Sequence, residues 1–193
     1  MTDDLRAEVA ALAARVRQLE DREEIARVIW NYSFLLDTGK WDDVPDVVYS
    51  EEGMDIHAED TDPPMVTEGR QKLKEFFNYT MPHFDGTQHF TGPSMIDLDG
   101  DTATARTYFW ATHWMKVGKG AGSLRPADSI QALLYDDELV RTEEGWRISK
   151  RRLHAFGPGS SIAVGYMPEF CLPAMGMNLY GAPRQADEEA ERA

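Results

Sequence analysis

The sequence is poor in cysteine and in long apolar segments. Cys171 is the only cysteine among 193 residues, so one chain cannot form a disulfide framework or a zinc site with several thiolates. No apolar run approaches the roughly 20 residues that a bilayer-spanning helix needs, and Asp3 and Asp4 stand where a secretory leader would begin. These features predict a cytoplasmic protein with no membrane partner.

Positive charge is also scarce. The chain has 20 Lys and Arg against 34 Asp and Glu, a formal net charge of −14. Because a negative field repels phosphate backbones, we expect no nucleic-acid partner. The phosphate-binding motifs GxGxxG and GxxxxGKS/T, the nucleophile elbow GxSxG and the metal-binding spacings HExxH and HxH are absent. We therefore expect chemistry that uses no nucleotide, no metal and no other cofactor.

The residues that are present suffice for one domain with a core and a pocket. Hydrophobic residues make up 42% of the chain, and single cores stop growing only beyond about 250 residues. We divide the chain into an amphipathic helix over 1–20, a domain over 21–156 and an apolar tail over 157–193. The tail ends in an acidic, frayed segment.

Helical periodicity dominates the first half of the chain. Apolar residues spaced by four and three predict a coiled-coil-like helix that packs on a neighbour: Leu5, Val9, Leu12, Val16 and Leu19. Asp21 and Glu24 resemble a capping box, which predicts that a second helix begins there and ends at 37–39. A short helix over 41–49, a strand near Ile56 and a helix over 69–81 complete this half.

The period changes from helical to two after residue 82. Four long strands are predicted, over 87–98, 102–117, 129–142 and 146–156, with hairpin turns at 99–101 and 143–145. A glycine-rich loop over 118–128 separates the second strand from the third. Helices followed by an antiparallel meander indicate an α+β fold in which one sheet curls over the helices.

The strand over 102–117 has two clearly different faces. One carries three alanines together with Phe109, His113 and Met115, which indicates the wall of a cavity with one ionisable group. The alternative for His113 is a hydrogen-bonded core histidine. The other face carries the large aromatics Tyr108, Trp110 and Trp114, which is typical of an interface and predicts a homo-oligomer, a dimer or a trimer.

Two further residues are candidates for chemistry. His89 lies just before Gly92-Pro93, a pair that suggests a bulge, and bulges often lie beside active sites. Asp37 ends the predicted helix after Leu35 and Leu36. Taken alone, Asp37 is more often a turn residue in solvent than a catalytic acid.

Four strings in order resemble a known family. Tyr32-Ser-Phe-Leu-Leu-Asp-Thr-Gly-Lys-Trp-Asp, Thr87-Gln-His-Phe, Gly100-Asp-Thr-Ala-Thr-Ala-Arg and Glu144-Gly-Trp-Arg-Ile look like the SnoaL-like branch of the NTF2-like superfamily. The resemblance spans roughly 21–156. It implies a cone-shaped α+β barrel, a curved and mostly antiparallel sheet wrapped around three helices, with an internal apolar pocket.

The resemblance also implies site residues. Similarity to the scytalone dehydratases maps Asp37, His89 and His113 as catalytic, and similarity to the bile acid 7α-dehydratases maps Tyr32 and Asp37. The strand carboxylate of the second group falls at Ala111, which favours the two-histidine arrangement. Further positions are assigned to substrate binding: His57, Trp41, Phe109, Ala111, Met115 and Tyr135.

These residue types suit acid–base catalysis of water elimination or double-bond migration. Histidine is a base near neutral pH, and an aspartate at its Nδ1 would fix the tautomer and stabilise the imidazolium. We therefore predict a cofactor-independent lyase or isomerase that acts on an apolar polycyclic or aromatic molecule. Two alternatives stay open: a non-catalytic binding or structural subunit, and a polyketide aldol cyclase.

Overall fold

The computed structural model describes residues 2–58, 65–116 and 127–155, and the backbone of one strand over 161–163. Most of the predicted loop over 118–128 and of the tail from 157 lies outside the described residues. The described helices are α1 (Asp3–Asp37), α2 (Val44–Val48) and α3 (Arg70–Thr80). The strands are β1 (Tyr49–Ala58), β2 (Met65–Glu68), β3 (Phe84–Thr91), β4 (Met95–Asp99), β5 (Thr102–Met115), β6 (Ser129–Thr142), β7 (Gly145–His154) and β8 (Ser161–Ala163).

The strands form one mixed sheet in the order β2-β1-β7-β6-β5-β3, with β4 also paired to β5 and β8 to β6. The β1–β7 pair is parallel, and the other pairs are antiparallel. Helices α1, α2 and α3 pack on the sheet, which gives the α+β architecture expected from the sequence. Among the described residues, no helix is both long and apolar enough to cross a membrane.

The core lies between the C-terminal half of α1 and the concave face of the sheet. Ile25, Ile29 and Tyr32 are buried on one stripe of α1, and Phe109 and Ile148 are buried on the strands that face it. The N-terminal half of α1 is different, because its apolar seam is exposed: Leu5, Val9, Leu12, Val16 and Leu19 are each 47–58% exposed.

The predicted helix start at Asp21 is wrong, because α1 runs without interruption from Asp3 to Asp37. The two residues of the apparent capping box bind the sheet instead. Glu24 accepts the backbone N–H of Trp146 at 2.9 Å, and Asp21 accepts its indole N–H at 3.1 Å. Asp21 also pairs with Arg141 at 2.7 Å. Asp21 and Glu24 therefore make long-range contacts that hold α1 against the turn between β6 and β7.

The single strand predicted over 87–98 is also wrong, because it is divided into β3 and β4. Both parts pair with β5, but the chain leaves the ladder at 92–94, where Pro93 lacks an N–H to donate. Gly92 donates its N–H to the carbonyl of Tyr108 at 2.8 Å, and Ser94 bonds the hydroxyl of Thr107 at 2.7 Å. This break bends the sheet edge beside His89.

Candidate active site

A cavity opens between the C-terminal half of α1, helix α3 and the concave face of the sheet. The empty space between these elements, with the open mouth included, amounts to about 710 Å³. Most of its wall is apolar or aromatic. Seven of the ten residues that the sequence assigns to the site line it: Tyr32, His57, His89, Phe109, His113, Met115 and Tyr135.

Asp37 is positioned by the end of α1. The helix stops at Thr38, and Gly39 takes a φ of +75°, a left-handed conformation that suits glycine and lets the chain turn away. The N–H of Lys40 then bonds the carbonyl of Leu35 at 2.8 Å. This turn places the Asp37 carboxylate against β3, where the side chain is 22% exposed.

Asp37 and His89 are in direct contact. Nδ1 of His89 lies 2.7 Å from Oδ1 of Asp37, and the backbone N–H of His89 donates to Oδ2 at 2.7 Å. The Thr87 hydroxyl donates to Oδ1 at 2.8 Å. Burial disfavours the charge on Asp37, but the hydrogen bonds from His89 and Thr87 outweigh it and hold the pKa of Asp37 below its ordinary value. An ionised Asp37 keeps the proton on Nδ1 and leaves Nε2 as the basic nitrogen.

Two tyrosines line the cavity next to this pair. The ring of Tyr32 meets the rings of His89 and Tyr135 edge to face, with centroids 6.3 Å and 5.8 Å apart, and Tyr135 stacks on Phe109 at 3.8 Å. Burial raises the pKa of Tyr32 and of Tyr135 well above the usual value, and the charge of Asp55 raises it further. Both phenols therefore keep their protons and can act only as neutral hydrogen-bond donors or acceptors.

His113 faces His89 across the β3–β5 pair. Their rings meet edge to face at 5.5 Å, and Phe84 covers the other side at 5.2 Å. Burial and the neighbouring His89 lower the pKa of His113 to about 3. His113 is therefore a neutral imidazole at working pH, suited to donate one hydrogen bond and not to act as a cation.

We predict that His113 makes folding stability fall in mild acid. Its pKa is lower in the folded chain than the ordinary 6.5 of the unfolded chain, so the unfolded state takes up the proton first and stability is lost as pH falls from about 6.5 towards 3. The slope from this one group is at most about 1.4 kcal/mol per pH unit.

Urea unfolding of wild type and His113→Asn between pH 6.5 and 4 measures this slope. The variant is expected to lose less stability over the interval than wild type, even if it is less stable at pH 7. If the unfolding free energies of the two proteins change equally with pH, His113 is either already protonated in the folded state or equally solvated in the folded and unfolded states.

The structure adds a buried ionic pair that the sequence reasoning missed. Arg151 and Asp137 have side chains with no exposure and form a bidentate pair, with two N–O distances of 2.8 Å. The guanidinium lies 4.4 Å from the ring centre of Tyr32 and 3.9 Å from that of Tyr135. Arg151 thus supports both tyrosines from behind the cavity wall.

A signal for this pair exists in the strand periodicity. Asp137 alternates with Leu133, Tyr135 and Leu139, all buried on one face of β6. Arg151 shares a face of β7 with Leu153. Because the β6–β7 register shifts at 138–139, a count by two along the sequence from the buried Ile148 would instead predict that Arg151 points outward. Of the two residues, only Asp137 could therefore be recognised from the sequence, as an acidic residue on an otherwise apolar strand face.

Two residues assigned to substrate binding lie outside the cavity lining. Ala111 is the register partner of His89 and is fully buried. Its small side chain leaves room for the imidazole ring of His89. Trp41 lies in the turn after α1, where its indole N–H donates to Asn78 at 3.2 Å. The geometry gives neither residue a contact with the cavity.

No group of three or more His, Cys, Asp or Glu side chains in the described part of the chain is arranged to hold a metal ion. The three cavity histidines lie on β1, β3 and β5. The polar groups that line the cavity are these three imidazoles, the two neutral phenols and the side chains of Thr80, Thr87, Ser129 and Gln131, in a wall that is otherwise apolar. This set can bind an apolar molecule with one or two oxygens and exchange protons with it.

A curved mixed sheet closed by three helices over an apolar cavity is the architecture of the NTF2-like class. The family of the SnoaL-like domain matches residues 17–152, and this chain belongs to that family. Rv2910c, a protein of unestablished function from Mycobacterium tuberculosis, is 30% identical over 137 residues, which cover 70% of this chain and 86% of that protein.

Solved structures share this fold. A protein from Novosphingobium aromaticivorans, named provisionally as a scytalone dehydratase, superimposes with a TM-score of 0.65 at 18% identity, over 89% of this chain and 99% of its own. An NTF2-like protein with a cystatin-like fold from the same species gives a TM-score of 0.57 at 29% identity, over 74% and 86%. A dehydratase candidate from Streptomyces avermitilis gives 0.59 at 14%, over 69% and 95%.

Proposed function

We propose that this protein is a cofactor-independent acid–base enzyme of the dehydratase or isomerase type. One observation carries the proposal: the carboxylate of Asp37 lies 2.7 Å from Nδ1 of His89 at the edge of an apolar cavity. A base with a fixed tautomer facing an apolar cavity suits the removal of a proton next to a carbonyl group. Two structural neighbours that carry provisional dehydratase names support the proposal.

The proposed reaction converts a β-hydroxy carbonyl compound to the conjugated enone. Nε2 of His89 takes the α proton, and the C–H electrons form the new double bond as the C–O bond at the β carbon breaks. Charge develops on the carbonyl oxygen in this step, and neutral donors placed near it lower the barrier. Tyr32 and His113 are the proposed donors. The hydroxyl leaves as water after it receives a proton.

The proposed substrate is an apolar molecule with a fused or aromatic ring system. Phe76, Phe77, Phe84 and Phe109 line the cavity together with Met65, Met81 and Met115. Aromatic and thioether side chains adapt to flat apolar ligands, whereas a sugar or a nucleotide needs many more hydrogen-bond partners. A substrate with one carbonyl and one hydroxyl group on a ring system matches this wall.

We test the function with a defined probe, the β-hydroxy ketone formed by aldol addition of acetone to naphthaldehyde. Wild type is expected to dehydrate it at least about a hundredfold faster than buffer does, and to keep that rate in a strong chelator. Absorbance of the naphthyl enone measures the product. Binding of the ketone without turnover would instead support a non-catalytic binding subunit, and a rate restored only by added metal would contradict the acid–base mechanism.

We also propose that the chain is a homo-oligomer, a dimer or a trimer, formed through the convex face of β3 and β5. Phe90, Tyr108 and Trp110 are 73%, 63% and 54% exposed on this face, and Phe90 and Trp110 are register partners. Monomeric proteins rarely leave contiguous apolar patches of this kind in water.

Sedimentation velocity at micromolar concentration is expected to show a single oligomeric species. Trp110→Lys with Phe90→Lys is expected to dissociate it, because two buried charges would face each other across a symmetric contact. Val9→Lys with Val16→Lys is the matched control on the exposed seam of α1. A monomeric wild type, or an oligomer lost only in the α1 variant, would contradict the assigned face.

A further inference from the structure

The cavity wall contains a second carboxylate beside a second histidine. Asp55 and His57 are two residues apart on β1, so both side chains lie on the face that looks into the fold. Nδ1 of His57 lies 3.4 Å from Oδ1 of Asp55. Asp55 has no exposed side-chain surface, whereas His57 lines the cavity.

One oxygen of Asp55 is without a hydrogen bond among the described residues. Its Oδ2 accepts the hydroxyl of Tyr49 at 2.6 Å, but Oδ1 is buried and has no hydrogen-bond donor. Buried carboxylate oxygens are normally satisfied, so a buried oxygen with an imidazole nitrogen 3.4 Å away and no hydrogen bond calls for an explanation. A small closure of the 3.4 Å gap would make Nδ1–H of His57 its donor.

A bulge aims His57 into the cavity. In the β1–β2 ladder Ile56 pairs with Val66 and Ala58 with Met65, so His57 is the extra residue without a partner on β2. Bulges redirect a side chain at the cost of local pairing and are frequent beside active sites. The ring of His57 packs on Phe76 of α3, with the ring centroids 5.4 Å apart.

The buried ionisable groups around Asp55 are unequal in number. Two carboxyl groups, those of Asp55 and Asp137, lie with one guanidinium, that of Arg151, and all three side chains are buried. Asp55 is also the register partner of Arg151 on the parallel β1–β7 pair. A proton on His57 balances the set, and unbalanced buried charge is costly.

The other groups facing His57 do not supply this charge. Tyr32 and Tyr49 are neutral because burial raises the pKa of both phenols, and His113 is neutral for the reason given above. Helix α3 and strand β2 contribute no charged side chain to the cavity wall, since their lining residues are Phe76, Phe77, Thr80 and Met65. His89 is held by Asp37.

We propose that His57 is a second catalytic residue, the general acid that protonates the leaving hydroxyl group, and that Asp55 is its positioning residue. This inference rests on the proposed function and assigns the acid that the proposed reaction requires. His57 begins doubly protonated, with Nδ1–H towards Asp55 and Nε2–H towards the cavity. As His89 takes the α proton, Nε2–H of His57 passes to the departing oxygen, which leaves as water. His57 ends neutral and His89 protonated, and water returns the proton between turnovers.

The first test needs no substrate and judges the pair by itself. In protein labelled with nitrogen-15 histidine, the ring nitrogen shifts of His57 are expected to show both nitrogens protonated at neutral pH. In Asp55→Asn the doubly protonated fraction is expected to fall at least about threefold, because the opposite charge is removed at short range. Asp99→Asn on the exposed end of β4 is the matched control. If Asp55→Asn folds and the ring nitrogen shifts of His57 are the same as in wild type, the proposed pairing of Asp55 with His57 is overturned.

The second test separates the acid from the base by changing the leaving group. His57→Gln is expected to dehydrate the naphthyl β-hydroxy ketone at least about a hundredfold more slowly than wild type does. With a nitrophenoxy group in place of the hydroxyl, the loss is expected to shrink to less than about tenfold, because nitrophenolate leaves without a proton. His83→Gln, outside the cavity, is the control for histidine loss.

The outcomes distinguish the two claims. Equal losses with both leaving groups overturn the acid role of His57 while the proposed function stands. A wild type inactive on both ketones refutes the proposed function and, with it, the acid role, while the nitrogen shifts still decide whether Asp55 and His57 form a pair. If Asp55→Asn does not fold, Asp55→Glu replaces it: a doubly protonated fraction of His57 that differs from wild type supports the positioning role, and an identical fraction overturns it.

Discussion

Replacing His89 with alanine or Asp37 with asparagine is expected to lower turnover at least about a hundredfold, while the chain still folds. The reason is the contact at 2.7 Å: His89 supplies the basic nitrogen, and Asp37 fixes its tautomer and stabilises the imidazolium that forms. Turnover of the naphthyl β-hydroxy ketone, per folded molecule, is the measurement. Circular dichroism and melting temperature establish that each variant is folded.

The double variant, His89→Ala with Asp37→Asn, tests whether the two residues act as one unit. Because Asp37 acts through His89, the double variant is expected to be little slower than the slower single variant, whereas independent residues would multiply their losses. His113→Ala, as a separate donor, is expected to add its loss to that of His89→Ala. A core-histidine role for His89 makes the opposite prediction, a lower melting temperature with nearly intact turnover per folded molecule.

Arg151→Leu is expected to have the largest effect on stability, about 3–5 kcal/mol of unfolding free energy. The substitution leaves the Asp137 carboxylate fully buried without its bidentate partner, and it removes the cation beneath the rings of Tyr32 and Tyr135. Chemical denaturation at pH 7 measures the change.

A matched pair on the surface separates burial from charge. Arg106 and Asp136 lie 3.4 Å apart with side chains 54% and 30% exposed, so Arg106→Leu is expected to change stability by less than about 1 kcal/mol. The double variant Arg151→Leu with Asp137→Leu is expected to recover part of the loss, since it removes the unpaired carboxylate. Equal effects of Arg151→Leu and Arg106→Leu would contradict the account of the buried pair.

The sequence was sufficient to predict the part of the fold that depends on periodicity and turn chemistry. The strand over 102–117 has the alternation that β5 shows, and the stop at 37–39 is where α1 ends, because a glycine there can take positive φ. The family resemblance brought Asp37 and His89 together in one hypothesis. Their separation of 52 residues could not have been bridged by local pattern alone.

The errors come from residues whose partners are distant in the chain. Asp21 and Glu24 have the spacing of a capping box, but they bind Trp146 on another element, and a local motif cannot reveal that. Arg151 lies in a run of basic residues that is typical of a solvated face, and the register shift in β7 turns it inward. The burial of Asp55 also escapes a local pattern, because the β1–β7 register shifts between Tyr49 and Met54, just before Asp55.

The central claim is that Asp37 makes His89 a base towards a ligand in the cavity. The most direct measurement is proton exchange in heavy water at the α carbon of the naphthyl ketone that lacks the hydroxyl group, followed by proton NMR. This reaction requires a base and a donor to the enolate but no leaving group. The account predicts rapid exchange with wild type and at least about a hundredfold slower exchange with Asp37→Asn. Equal exchange rates for the two proteins, or no exchange above buffer with wild type, would contradict it.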